Sequence, residues 1–364
     1  MRFGPNYEPL RRDHLDPTRL ELYTLALHLS LVAGPSYLLT RIGPDPLMQD
    51  IVAHNTERLI ELAAAASRRC EHSPPTLWPP QAAGSRVPES DVITRSDAPQ
   101  TAASLAADLR ELGLTSGSTV IVHTSLSALG WVVGGPVAVI RALEAVLGDE
   151  GTLVMPTQTV GLSDPSEWGH PPVPEPWWQQ IRDAMPLYDP ALTPTLGVGV
   201  VPEVFRSAPG VQRSGHPLYS FAARGPSAVR VAGQHGWACG LGETSPLAAL
   251  YELDAHVLLL GVDHSANTSL HLSEYRLPRE LRREREIALP AELDATGRTR
   301  WRVVDDIDLV EDDFAAIGRE YVNAGGHVQT ARVGAAGAQL LRQRDIVDFG
   351  VEWMCEHRTP ARAR

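Results

Sequence analysis

The chain has 364 residues, 43% of them hydrophobic, and a formal net charge of -12. That length holds one large or two ordinary domains with a substantial core. The acidic balance argues against nonspecific nucleic-acid binding and suits a cationic small molecule. Three cysteines, Cys70, Cys239 and Cys355, lie far apart without CxxC or metal-ligand spacing. A disulfide framework and a structural zinc are therefore not expected, and a reducing, cytoplasmic setting is.

Residues 1–90 differ in texture from the rest. Leu20 to Thr40 is apolar, but Glu21, His28 and the Gly34-Pro35 break leave it short of the roughly 20 apolar residues a membrane span needs. Asp13 and Asp16 before the apolar run argue against a cleaved signal. An amphipathic helix is expected from Pro46 to Arg69, through Leu47, Ile51, Leu59 and Leu62. Ser73-Pro74-Pro75 and Trp78-Pro79-Pro80, running on to Pro88, read as a stiff linker. Residues 1–90 form a helical N-terminal extension in this reading, and residues 91–364 a separate domain.

From Ala98 the rhythm becomes α/β. A helix is expected from Thr101 to Leu112, a buried strand at Thr119 to His123, a helix from Pro136 to Leu147 and a strand at Thr152 to Met155. Strands alternating with helices imply a layered sheet with ligands at the carboxyl ends of its strands. After the first strand, the small hydroxyl residues of His123 to Gly130 suit an anion-binding turn or an ordinary strand-to-helix turn. No GxGxxG or GxxxxGK[ST] occurs.

The stretch 158–190 lacks helix or strand signals and is rich in Pro, Trp and acid, which reads as a lid or binding loop. Carboxylates beside aromatic faces suit ammonium groups, and Trp177 and Trp178 could equally pin the loop to the core. His216 precedes Pro217 and is held extended, which either lines a site or shapes a turn. The run Val257 to Val262 is a buried strand that turns into a helix capped by Asn267 or Thr268. His271 then lies in the first helical turn, where the dipole favours neutral imidazole, a form able to accept a substrate proton. Glu274 shares its face, and Asp305-Asp306-Ile307-Asp308 supplies a second acidic candidate or a solvated turn.

Five blocks, in order and spacing, resemble the aminoglycoside 3-N-acetyltransferase family. They are Val122-His123-Thr124-Ser125-Leu126-Ser127, Gly151-Thr152-Leu153-Val154-Met155-Pro156-Thr157, Arg213-Ser214-Gly215-His216-Pro217, Gly242-Glu243-Thr244-Ser245-Pro246-Leu247, and Gly261-Val262 through Thr268-Ser269-Leu270-His271 with Glu274. The similarity runs from about Val92 to about His357, and the Trp- and Pro-rich lid is similar to that of members from antibiotic-producing actinomycetes.

The resemblance implies an α/β fold, a layered α/β/α sheet, and acetyl transfer from acetyl-CoA to the 3-amino group of a 2-deoxystreptamine aminoglycoside. It implies that Ser125, Leu126 and Ser127 hold acetyl-CoA; Thr268 is placed with them at the cofactor, and it and backbone amides are the candidate donors to the developing oxyanion. His271 would be the base, and Asp306 would support it, with Glu274 the competing candidate. Asp164 and Asp308 would meet substrate ammonium groups, with His216 lining the site. No metal is expected, and the protein would act as a monomer or homodimer. Two other readings stay open: an acyltransferase acting on another amine or hydroxyl in biosynthesis, and a nonenzymatic CoA-binding protein.

Overall fold

The computed structural model describes residues 87–169 and 171–359. The amphipathic helix and linker expected before residue 87 lie outside the described residues.

Helix α1 (Glu89–Thr94) leads into α2 (Ala102–Glu111). Thr101 caps α2 through a reciprocal pair of bonds with Ser104, which satisfies amides the helix itself cannot. Strand β1 (Thr119–Thr124) is followed by a short turn and α3 (Gly135–Leu147), then by β2 (Thr152–Pro156). The stretch read as one irregular loop contains α4 (Trp178–Ala184) and several single helical turns. Trp178 is fixed there by its indole bond to the Val173 carbonyl at 3.3 Å, whereas Trp177 stays exposed. Next come α5 (Val200–Arg206), β3 (Gln212–Arg213), β4 (Phe221–Arg224), α6 (Ala228–Ala232), α7 (Pro246–Glu252) and β5 (His256–Leu260). The chain continues through α8 (Ser269–Arg276), β6 (Glu284–Leu293), β7 (Thr299–Ile307), α9 (Phe314–Asn323), β8 (Val328–Val333), β9 (Ala336–Arg342) and α10 (Gln343–His357).

Seven strands form one mixed sheet in the order β3-β4-β2-β1-β5-β9-β8, and β6 and β7 pair as a separate hairpin. Only β1 with β2 and β1 with β5 run parallel. The period-2 geometry of a strand sorts the side chains into two cores. Val120, Val122, Leu258 and Leu260 pack with α2, α3 and α5 on one face. Ile121, Val257 and Leu259 pack with α6 to α10 on the other. The result is the layered α/β/α arrangement expected, with helices covering both faces. A third, smaller cluster joins Ile287 and Leu289 of the hairpin to Leu162, Met185 and Leu218.

Helices α8 and α10 cross closely at Gly350, where a Cβ would stand 2.7 Å from Ser273 Oγ and 3.0 Å from Leu270 Cδ2. Ser273 Oγ donates to the Val347 carbonyl at 2.9 Å across the same crossing. That contact fixes the pitch of α8, the helix that carries the candidate base.

Candidate active site

Two loops leave the sheet side by side at the carboxyl ends of β1 and β5. The Ser125 amide donates to the Leu260 carbonyl at 3.0 Å, which stitches them together. Gly261 adopts φ +71°, and a Cβ there would lie 2.6 Å from the Ala128 Cβ. Only glycine accepts both the left-handed backbone and that approach. The Ser125 and Ser127 hydroxyls stand 3.4 Å apart in the first loop, half-buried, and the Arg95 guanidinium donates to the Ser127 carbonyl. Ser125 and Ser127 thus present hydroxyls, while the Ser125 amide is already spent on β5.

In the second loop Asn267 takes the capping role, its Oδ1 accepting from the Ser269 amide at 3.2 Å. Thr268, the other candidate, makes no capping bond, and its hydroxyl is left for other partners. His271 is 4% exposed. Its Nδ1 donates to Glu274 Oε2 at 2.7 Å, and its Nε2 lies 3.4 Å from Glu311 Oε1. The ring also meets the Phe314 ring edge-on, with centroids 4.9 Å apart. Glu274 is buried, and its second oxygen, Oε1, accepts from the Val310 amide at 2.9 Å and from Arg358 at 2.8 Å.

The surroundings of His271 act against the neutral imidazole expected. Burial alone lowers the His271 pKa, but hydrogen bonds and charge from Glu274 and Glu311 overcome it and raise the pKa to about 9. Two nearby carboxylates outweigh the partial charge of a helix end. His123, buried at the end of β1, goes the other way: burial, with the charges of His264 and His271, pushes it down to about 3.

Asp306 does not touch His271. Its carboxylate accepts from the Tyr275 hydroxyl and from the Ile307 amide at 2.9 Å, and its Oδ2 is buried without a partner. Tyr275 follows Glu274 on α8 and turns toward β7, so the acid on that strand meets the tyrosine. Glu274 reaches the imidazole because residues three apart on a helix are neighbours.

The two acids expected to meet substrate already hold internal cations. Asp164 pairs with Arg182 through two bonds of 2.7 Å and caps the Ser166 amide at 2.9 Å. The Arg182 bonds lead the effects that draw its carboxyl down to about 2. Asp308 lies 3.4 Å from Arg285, which also holds Glu167 at 2.7 Å. His216 is fully buried, and backbone satisfies both ring nitrogens. Nδ1 accepts from the Leu218 and Tyr219 amides at 3.0 and 3.1 Å, so Nε2 carries the proton and donates to the Trp237 carbonyl at 3.1 Å. Burial pushes its pKa down to about 3, and the ring shapes a turn rather than lining an open site.

Residues 121–355 match the family described as aminoglycoside 3-N-acetyltransferase. This chain belongs to the aminoglycoside 3-N-acetyltransferase family. It is 44% identical over 263 residues to the SPbeta prophage-derived aminoglycoside N(3')-acetyltransferase-like protein YokD of Bacillus subtilis, covering 72% of this chain and 95% of that one. The YokD crystal structure superposes with a TM-score of 0.70 over 74% of this chain and 98% of that chain. Aminoglycoside N(3)-acetyltransferase VII of Streptomyces paromomycinus is 39% identical, covering 74% of this chain and 96% of its own length. A solved binary complex of AAC-IIIb with CoASH is 33% identical and matches with a TM-score of 0.63 over 72% of this chain and all of that chain.

Membership in the aminoglycoside 3-N-acetyltransferase family makes the chain an acyltransferase. Among the described residues, no helix is long and apolar enough to cross a membrane. Two residues at this candidate site escaped sequence reasoning: Glu311, facing His271, and Arg358, bound to Glu274. Glu311 belongs to the acidic run Glu311-Asp312-Asp313, which nothing local distinguishes from Asp305 to Asp308.

Proposed function

We propose that this protein transfers acetyl directly from acetyl-CoA to the 3-amino group of a 2-deoxystreptamine aminoglycoside, with His271 as general base. The observation that carries the reading is the buried His271–Glu274 pair at 2.7 Å, set where β5 ends beside the Ser125–Ser127 loop. The activity named for the Streptomyces relative and the CoASH bound to AAC-IIIb support the two substrates.

In this mechanism the amine nitrogen bonds to the thioester carbonyl carbon while His271 Nε2 takes a nitrogen-bound proton. Glu274 holds Nδ1–H and stabilises the imidazolium that forms. The tetrahedral oxyanion meets backbone amides and the Thr268 hydroxyl. Collapse breaks the carbon–sulfur bond, and His271 returns its proton to the departing thiolate. The products are an acetamide and CoA thiol. No acyl-enzyme is needed. Ser125, Leu126 and Ser127 hold the cosubstrate in this scheme, and Glu311 yields Nε2 to the incoming amine.

Asp308 keeps an exposed face toward ammonium groups, while Asp164 acts by holding the loop to Arg182. Acetylation removes a cation from an RNA-binding antibiotic, which accounts for resistance or self-protection. A second reading has one observation in its favour. Arg182 and Arg285 already occupy Asp164 and Asp308, which suits an acceptor amine with fewer charges.

Thiol release, measured with acetyl-CoA and a panel of aminoglycosides and simple amines, decides between them. Release that depends on a 2-deoxystreptamine ring, and falls roughly 10²-fold in His271→Ala, is the expected result. Equal release with any primary amine favours the second reading, and full turnover in His271→Ala removes His271 from the chemistry.

A further inference from the structure

We infer that Arg358, just beyond the end of α10, is a positioning residue for the His271 base, fixing both acids that face the imidazole. The inference rests on the general-base reading above.

Arg358 is the meeting point of three elements. Its Nη1 donates to Glu274 Oε1 on α8 at 2.8 Å, and its Nη2 donates to the Val310 carbonyl at 2.9 Å. Its Nε and Nη2 grip Asp313 at 2.7 and 2.8 Å. The planar guanidinium matches that two-pronged carboxylate geometry, which an ammonium cannot reproduce. Glu274 therefore has no free oxygen: one faces His271, and the other is held by Arg358 and the Val310 amide. A buried carboxylate left without such donors would be costly, and its orientation would be open. The Val310 contact also anchors the residue before Glu311, whose carboxylate lies 3.4 Å from the other imidazole nitrogen.

The charges around the pair are few and can be named. His271 faces Glu274 from α8, Glu311 from the β7–α9 loop and His123 from β1. Glu274 faces Arg358, and a cavity of about 220 Å³ beside it is lined by Arg282, Arg283, Asp308, Asp313 and His357. Arg358 thus draws on the same carboxylate that stabilises the imidazolium. Taking its charge away strengthens the hold of Glu274 on the His271 proton. Taking away its counter-ion Asp313 does the reverse.

The test is the pH dependence of kcat/KM for the full-length enzyme and for Arg358→Ala, Arg358→Lys and Asp313→Asn, with thermal unfolding run in parallel. Arg358→Ala should lower kcat on the order of 10- to 100-fold, as misplacement of a catalytic group does. Its acid limb should move to higher pH, and that of Asp313→Asn to lower pH. Arg358→Lys should restore the limb but only part of kcat, because the charge returns without the fork. A merely structural Arg358 would lower unfolding temperature and yield of active enzyme while every limb superposes on the parent, and that result overturns the inference. Full turnover in a His271→Ala control would instead overturn the base assignment, and the inference with it.

Discussion

His271 holds its proton because two carboxylates reach it from different elements, against the burial that would expel it. The raised pKa favours the imidazolium in the free enzyme, and that form must lose its proton before it can act as a base. The kcat/KM profile should rise with pH toward about 9. Glu311→Gln removes one of the two anions and should move that rise to lower pH; a profile already flat at pH 7 in the parent enzyme would contradict this account. The same raised pKa acts on stability. An unfolded histidine titrates near 6.5 and the folded one near 9, so the contribution is complete below about 6.5 and is lost as pH climbs through 9. Unfolding temperatures of the parent and of His271→Gln should therefore differ most below pH 6.5 and converge toward pH 9.

Helix α8 serves two neighbours with adjacent residues. Glu274 turns to Val310 and the end of α10, and Tyr275 turns to Asp306 on β7. The Tyr275–Asp306 bond ties the helix to the hairpin, so its loss belongs to stability. Tyr275→Phe leaves a buried carboxylate short of a donor and should cost about 1–3 kcal/mol in denaturant unfolding, with kcat little changed. A loss of kcat equal to that of His271→Ala would place Asp306 back in the catalytic machinery. The acidic rim separates in the same way. Asp308→Asn should raise the aminoglycoside KM, more at low salt, because its partly exposed charge is screened by ions. Asp164→Asn should act mainly by loosening the loop against α4. Steady-state kinetics at two ionic strengths, with proteolysis of the loop, separate the two.

The elements of the sheet were readable because β1 and β5 are short, buried and rich in branched residues, bounded by polar turns. The pairing of His271 with Glu274 could be seen as a shared helical face, but its protonation could not. That depends on Glu311, which reaches Nε2 from the loop after β7. His216 and Asp164 carried the right residue types, but their partners, two backbone amides and Arg182, come from folding that local pattern does not encode. Arg358 lies far from His271 in sequence and in no motif, so only the α8–α10 crossing at Gly350 brings it near.

At the scale of the whole molecule, the order of the strands has a consequence in time. Strand β1 takes β2 on one side and, on the other, β5, whose His256 pairs with Val120. Strand β5 in turn waits for β9, where His256 pairs with Arg342. Pairings between distant segments pay loop-closure entropy before they gain contacts, so they form late. Helices α2 and α3 and the β1–β2 pair can assemble from nearby sequence. The imidazole then acquires Glu274 from its own helix, but Glu311 and Arg358 arrive only when the segment beyond β7 has docked. After dilution from denaturant, far-UV circular dichroism should recover first and acetyl transfer later, with the lag set by docking of α10. Recovery of both signals with a single rate constant would mean that the central sheet and the site close in one step.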